Sequence, residues 1–127
     1  MENVRDERVQ QEVRAMLNEL GVTSNYAGYR QTVAAVLLAM EQPDALSLIS
    51  KRIYPEVAKQ FDSNWRSIER NIRTVLTRVW EDNALQLSLL ACAELTKRPT
   101  TAHFIRILAR AAQNRLAADE LIEGMKA

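Results

Sequence analysis

Residues 54–80 read YPEVAKQFDSNWRSIERNIRTVLTRVW, and this stretch predicts a helix-turn-helix. Pro55 suits the first turn of a helix, where its missing N–H removes no hydrogen bond, so a short helix is expected over residues 56–61. Residues 62–64, Asp-Ser-Asn, carry side-chain oxygens that can accept the free N–H groups at the start of the next helix. That second helix is expected to begin near Trp65 and to end near Trp80.

The second predicted helix has two different faces on a helical wheel. The apolar stripe consists of Ile68, Ile72, Val75, Leu76 and Val79. The opposite side carries Arg66, Arg70, Arg73 and Thr77. Because the planar fork of arginine suits phosphates and guanine edges, this face predicts contact with DNA. The alternative interpretation is a solvated amphipathic helix.

Positive charge is concentrated in this part of the chain. Residues 51–80 contain seven Lys or Arg and three Asp or Glu, a net charge of +4. The whole chain carries only +1, so the remainder is acidic. A focused positive surface is typical of a protein that binds nucleic acid.

Length and composition indicate one all-α domain. The chain has 127 residues, of which 47% are hydrophobic and 26% are charged, as in an ordinary globular protein. It has only three glycines and three prolines, and no sustained alternation of apolar and polar residues predicts a strand.

The compartment is expected to be the cytoplasm. The first eight residues are too charged for a signal peptide, and no apolar run approaches the ~20 residues needed to span a bilayer. The single cysteine, Cys92, lies in an apolar run and is expected to be buried and inert.

Helical patterns account for the rest of the chain. The first helix has apolar residues at helical spacing and ends at Gly21, and a nearly all-apolar second helix over residues 26–40 is expected to be central. After Trp80 and a turn at residues 81–83, a fifth helix is predicted over residues 84–95, with Leu85, Leu89 and Cys92 on its inner side. A sixth is predicted from Thr100 or Thr101 to about Glu123, with Gly124 ending it.

Several segments of the sequence, in order, resemble one known family. They are residues 20–22 (Leu-Gly-Val), 28–29 (Gly-Tyr), 53–61 (Ile-Tyr-Pro-Glu-Val-Ala-Lys-Gln-Phe), 68–73 (Ile-Glu-Arg-Asn-Ile-Arg), Trp80, 96–100 (Thr-Lys-Arg-Pro-Thr) and 104–105 (Phe-Ile). The chain thereby resembles, over about residues 13–116, the C-terminal DNA-binding effector domain of the master response regulator of endospore formation. The resemblance implies a single six-helix domain whose fourth helix enters the DNA major groove and which binds as head-to-tail tandem copies at short repeated sites.

The sequence departs from that family in two respects. Family members carry a phosphorylatable receiver domain and a linker before this domain. Here only about a dozen residues precede the matching part, so phosphorylation control is expected to be absent unless the chain is a fragment. The family also has Ser-Arg where this chain has Arg66-Ser67, and a small residue at Asn71. The rearranged pair puts the family's target sequence in doubt.

The residues expected to contact DNA fall into two groups. The first two turns of the recognition helix usually reach base edges, so base contacts are expected from Arg66, Ser67, Glu69 and Arg70. The alternative for Glu69 is an orienting salt bridge to an arginine. Phosphate contacts are expected from Lys59, Ser63, Asn64, Arg73, Lys97, Arg98, Thr100 and Thr101. Capping alone also explains Ser63 and Asn64, and a solvated loop explains residues 97–101 equally well.

No pattern in the sequence predicts catalysis, a metal, a cofactor or a small-molecule substrate. His103 has no second His or Cys at ligand spacing and is expected on the surface. Carboxylates form no obvious pair, and no nucleophile has an evident base. Trp65 and Trp80 are expected to pack in the core.

The expected partner is double-stranded DNA, with no membrane. A single recognition helix contacts few base pairs, so a tandem homodimer on DNA is expected. Ile105 and Leu116 lie off the main apolar stripe of the last helix and are the predicted pairing surface. The alternative function is a helical protein-interaction module, or an antagonist, that kept the fold but lost its operator.

Overall fold

The computed structural model describes residues 4–126, which form five α-helices and no strand. The helices are α1 (Val4–Glu19), α2 (Ala27–Glu41), α3 (Tyr54–Gln60), α4 (Trp65–Ala91) and α5 (Thr101–Lys126). A 3₁₀ helix over Pro43–Leu48 and a π-helical turn over Ile49–Ile53 join α2 to α3. The predicted all-α class is therefore confirmed.

Helix α2 is the centre of the domain, as its sequence predicts. It contacts each of the other four α-helices. Most of its residues are buried, including Val33, Ala35 and Val36. The buried apolar residues of α1, from Val9 to Leu20, pack into the same core, whereas the side chain of Val4 lies outside the described residues.

Three helices end in the same hydrogen-bonding pattern, in which one residue adopts a left-handed conformation. Gly21, Asp62 and Cys92 have φ values of +83°, +51° and +53° and follow α1, α3 and α4. In each case the next residue donates its N–H to a carbonyl five positions earlier, as Val22 does to Leu17 at 2.9 Å. The predicted cap at Gly21 is confirmed. At Cys92 the same geometry ends the helix earlier than the apolar pattern predicts.

The predicted boundary between a fourth and a fifth helix coincides with a kink in α4, where two helical segments meet, but the predicted turn over residues 81–83 is wrong. Only Asn83 leaves helical geometry, at φ −141° and ψ 37°. Its Nδ2 donates to the carbonyl oxygen of Leu20 at 2.9 Å. On the preceding turn, Arg78 pairs with Asp82 at 2.9 Å. The expected three-residue turn is therefore reduced to one residue that is held against the end of α1.

The predicted inner side of the segment after Trp80 is also wrong. Leu85 and Leu89 are 75% and 64% exposed, and Cys92 is exposed as well. The kink turns Leu87 into the core instead. Because this segment is apolar on several sides, helical spacing alone does not decide which side is buried.

The last helix contradicts the predicted pairing surface. Ile105 and Leu116 are buried, since α5 packs against α1, α2 and α4 and therefore buries more than one stripe. The helix also continues through Gly124 to Lys126. Within residues 4–126, no helix is both long and apolar enough to cross a membrane.

Candidate nucleic-acid interface

The turn between α3 and α4 brings two helices together at a fixed angle. Asp62 adopts the left-handed conformation, and the Ser63 N–H donates to the carbonyl of Ala58 at 2.8 Å. The side chain of Asn64 accepts the N–H of Ser67 at 3.0 Å, which is the predicted N-terminal cap of α4. Ser63 and Asn64 are exposed beside that helix start, where a phosphate would meet free N–H groups.

The first half of α4 presents a row of arginines to solvent. Arg66, Arg70 and Arg73 are all exposed, and they follow one another at spacings of four and three residues. Opposite them, Ile68, Ile72 and Val75 are buried in the core, so the predicted division into two faces is correct. The structure thus leaves one continuous cationic face on α4.

Two of the predicted DNA-contacting residues are held by neighbouring carboxylates. Arg73 pairs with Glu69 at 3.4 Å, which is the salt bridge given above as the alternative role for Glu69. Lys59 pairs with Glu56 at 3.9 Å. Both pairs are solvent-accessible and weak, so they orient the cations without neutralising them strongly.

The start of α5 lies beside this face. Arg98 donates from its Nη2 to the carbonyl oxygen of Arg73 at 3.3 Å. The Thr100 hydroxyl accepts the N–H of His103 at 3.0 Å and so caps α5. An open cleft of about 480 Å³ is lined by both segments, with Arg73 and Glu69 on one side and Arg98, Thr100 and Thr101 on the other. Lys97 is exposed but does not line this cleft.

Two further residues with polar side chains, which the sequence did not predict at this site, also line the cleft. They are Ser50, which lies in the π-helical turn, and the buried Tyr54, which begins α3. Burial raises the pKa of the Tyr54 hydroxyl above its ordinary value of 10.0; nearby Glu69 raises it further and Arg73 opposes the shift. The sequence carries no signal for this placement, because the π-helical turn has no distinctive residue pattern.

Trp65 does not pack in the core as predicted. It is 41% exposed, and the guanidinium of Arg66 lies over its ring at 5.4 Å from the centroid. This stacking orients Arg66 at the tip of α4. Trp80, in contrast, is half-buried against the core, and His103 is exposed, as expected.

The closeness of α2 to α4 depends on Gly28. A Cβ at this position would clash with the carbonyl oxygen of Asn71 and would come within 2.8 Å of the Val75 side chain. The glycine therefore lets the two helices cross in direct backbone contact.

Comparison with known families agrees with this arrangement. The family model described as sporulation initiation factor Spo0A C terminal matches residues 13–112. The chain belongs to this family. Spo0A C-terminal domains are helical DNA-binding regulatory domains and not an enzyme family.

All twelve candidate contact residues fall inside the part that matches the Spo0A C-terminal family. The last part of α5, residues 113–126, falls outside it. Within residues 4–126, no group of three or more His, Cys, Asp or Glu side chains is arranged to hold a metal ion.

Proposed function

We propose that this protein is a sequence-specific DNA-binding transcriptional regulator. In this proposal α3, its turn and the first half of α4 act as a helix-turn-helix, with α4 entering the major groove. The observation that carries the proposal is the exposed row Arg66, Arg70 and Arg73, extended by Arg98 at the carbonyl of Arg73. Its place of action would be the cytoplasm, where its DNA target lies.

Base reading is assigned to the first two turns of α4. Arg66 and Arg70 are exposed there, and Arg70 has no ion-pair partner among the described residues, so both have donors available for guanine edges. Ser67 and Glu69 are half-buried at the edge of the same face. In this role Glu69 would accept from a cytosine amino group or orient Arg73.

Phosphate contacts are assigned to the rim of this surface. Arg73, Arg98, Thr100 and Thr101 surround the cleft between α4 and α5, and the start of α5 adds free N–H groups. Lys59, Ser63 and Asn64 would contact the DNA phosphates on the other side of α4, and Lys97 would add a further cation. Together these residues would clamp the duplex on both sides of α4.

Two copies are proposed to bind neighbouring sites head to tail. One recognition helix reads too few base pairs for the ~10³-fold preference over bulk DNA that regulation needs. Binding should therefore be cooperative on tandem sites. The pairing surface cannot be centred on the buried Ile105 and Leu116.

Selection of oligonucleotides from a random pool tests the proposal. An enriched short motif is expected, and its affinity should fall steeply with salt, with a slope of about −0.9 in log K per neutralised phosphate. No enrichment, together with no DNA affinity even near ~50 mM salt, would overturn the proposal.

One observation favours the second candidate, a helical protein-interaction module or antagonist. Glu69, one of the four residues assigned to base reading, is engaged by Arg73 and partly buried, which leaves fewer free side chains to read a sequence. A rearranged Arg66-Ser67 pair further separates this chain from the family's operator. Failure to enrich any motif, combined with capture of a defined protein partner that binds the purified domain, would decide for this alternative.

A further inference from the structure

The outer face of α5 changes character along its length. Its N-terminal half carries three exposed cationic or titratable residues at spacings of three and four, namely His103, Arg106 and Arg110. The stripe continues through Asn114 and Ala118 to Leu121 and Met125. One face of a single helix is therefore basic at one end and apolar at the other.

The apolar end has no cover in the described structure. Leu121, Ile122 and Met125 are 68%, 50% and 78% exposed. The same segment carries Asp119, Glu120 and Glu123 against Lys126, and the exposed Glu123 forms a long ion pair with Arg8 at 4.0 Å. We refer to residues 118–126 as the tail; it is amphipathic and acidic, and it lies outside the family match.

The basic end forms one wall of a groove. The groove has a volume of about 200 Å³ and lies between the end of α4 and α5. Its apolar lining includes Leu90, Leu95 and Ile107, and its rim includes His103, Arg106 and Arg110. Neither Arg106 nor Arg110 pairs with a carboxylate among the described residues. The groove thus offers an apolar floor with cations at its edge.

We propose that the tail of a second copy docks in this groove, and that two copies pair through antiparallel α5 helices. The tail supplies apolar side chains that can pack on the floor of the groove. Its carboxylates can pair with Arg106 and Arg110, so that these cations gain partners when the tail covers them. Because tail and groove lie on one face of one helix, an antiparallel pair makes the contact twice about a two-fold axis. His103 and Met125 are about 33 Å apart along α5, so the two contacts are well separated.

This pairing is distinct from head-to-tail binding at neighbouring DNA sites. Helix α5 begins beside Arg73, so an antiparallel pair places the two cationic faces at opposite ends. Only this consequence depends on the proposed DNA-binding function. The self-association itself is measured without DNA, and its failure is therefore distinguishable from failure of that function.

Sedimentation velocity of the full chain over a micromolar concentration series tests the pairing. Wild type is expected to pass from monomer to dimer and to stop there. The tail variant, Leu121→Ser/Met125→Ser, removes the apolar contact of the tail. The groove variant, Arg106→Glu/Arg110→Glu, reverses the charge at the rim of the groove. Each double variant should raise the dissociation constant of the dimer at least tenfold. Leu85→Ser/Leu89→Ser, which also removes exposed leucines, is the matched control and should leave it unchanged.

Mixing the two variants provides the decisive arm. The tail variant has an intact groove, and the groove variant has an intact tail. A mixture of the two should therefore form a heterodimer that keeps one of the two contacts, at concentrations where neither variant dimerises alone. A groove variant that still dimerises would show tail-to-tail pairing and overturn the proposal. So would a wild type that stays monomeric, grows beyond dimers, or loses its dimer in the Leu85 and Leu89 control. Circular dichroism of each variant confirms that these exposed substitutions leave the fold intact.

Discussion

Asn71 on α4 donates a hydrogen bond from its Nδ2 to the Oε1 of Gln31 on α2, at 3.0 Å. Gln31 is buried, and Asn71 is half-buried one residue after Arg70. This hydrogen bond therefore ties α4 to α2 directly beside the arginine row.

Removing this hydrogen bond should lower the free energy of unfolding. Asn71→Ala leaves the Gln31 acceptor without its partner in the core, which costs about 1–3 kcal/mol in the free energy of unfolding, measured by urea denaturation. The double variant Asn71→Ala/Gln31→Leu should lose less than the sum of the single losses, because the orphaned acceptor is gone. Additive losses would show that the two side chains are not coupled.

Arg70 and Arg73 should differ in what their removal does to DNA binding. Arg70→Ala is expected to relax the selected sequence at one base position at a cost of about 1–3 kcal/mol. Arg73→Ala should weaken all sequences alike and reduce the salt slope by about 1. Arg78→Ala, which removes a cation paired with Asp82, is the control for charge alone. Identical effects of the Arg70 and Arg73 variants in fluorescence anisotropy titrations would contradict the separate assignments.

Gly28→Ala should destabilise the domain, because the added methyl group meets the Asn71 carbonyl. Overpacking of this kind costs about 1–3 kcal/mol, and here it would also push α4 away from α2. Gly124→Ala is the matched control, since nothing lies within 4 Å of the added Cβ. That substitution should stabilise the end of α5 by about 0.5–1 kcal/mol. Thermal unfolding followed by circular dichroism separates the two outcomes, and a neutral Gly28→Ala would show that the helices can move apart freely.

The buried Tyr54 predicts a loss of stability at alkaline pH. Its folded-state pKa is raised above 10.0, so the unfolded chain releases this proton at a lower pH than the folded chain does. The stabilisation is complete below the unfolded-state pKa and is lost as pH rises through the folded-state value. Wild type should therefore lose more free energy of unfolding than Tyr54→Phe between about pH 9 and pH 11. Parallel pH profiles of the two proteins would rule out Tyr54 as the source.

The family and the local helical features could be predicted from the sequence alone. A helix start depends on a few adjacent residues, so Asn64 and Trp65 marked the beginning of α4 correctly, and Gly21 marked the end of α1. The separation of Arg66, Arg70 and Arg73 from the apolar stripe follows from helical spacing within one segment. These features require no knowledge of what packs against the helix.

Only the tertiary structure decided which apolar side chains are buried where a segment is apolar on several sides. Ile105 and Leu116 are covered because three helices surround α5, whereas Leu85 and Leu89 are exposed because the kink at Asn83 turns Leu87 inward. That kink is held by the carbonyl of Leu20, and the cleft beside α4 is held by the bond from Arg98 to Arg73. These contacts join residues that are 63 and 25 positions apart, a distance over which helical periodicity carries no information.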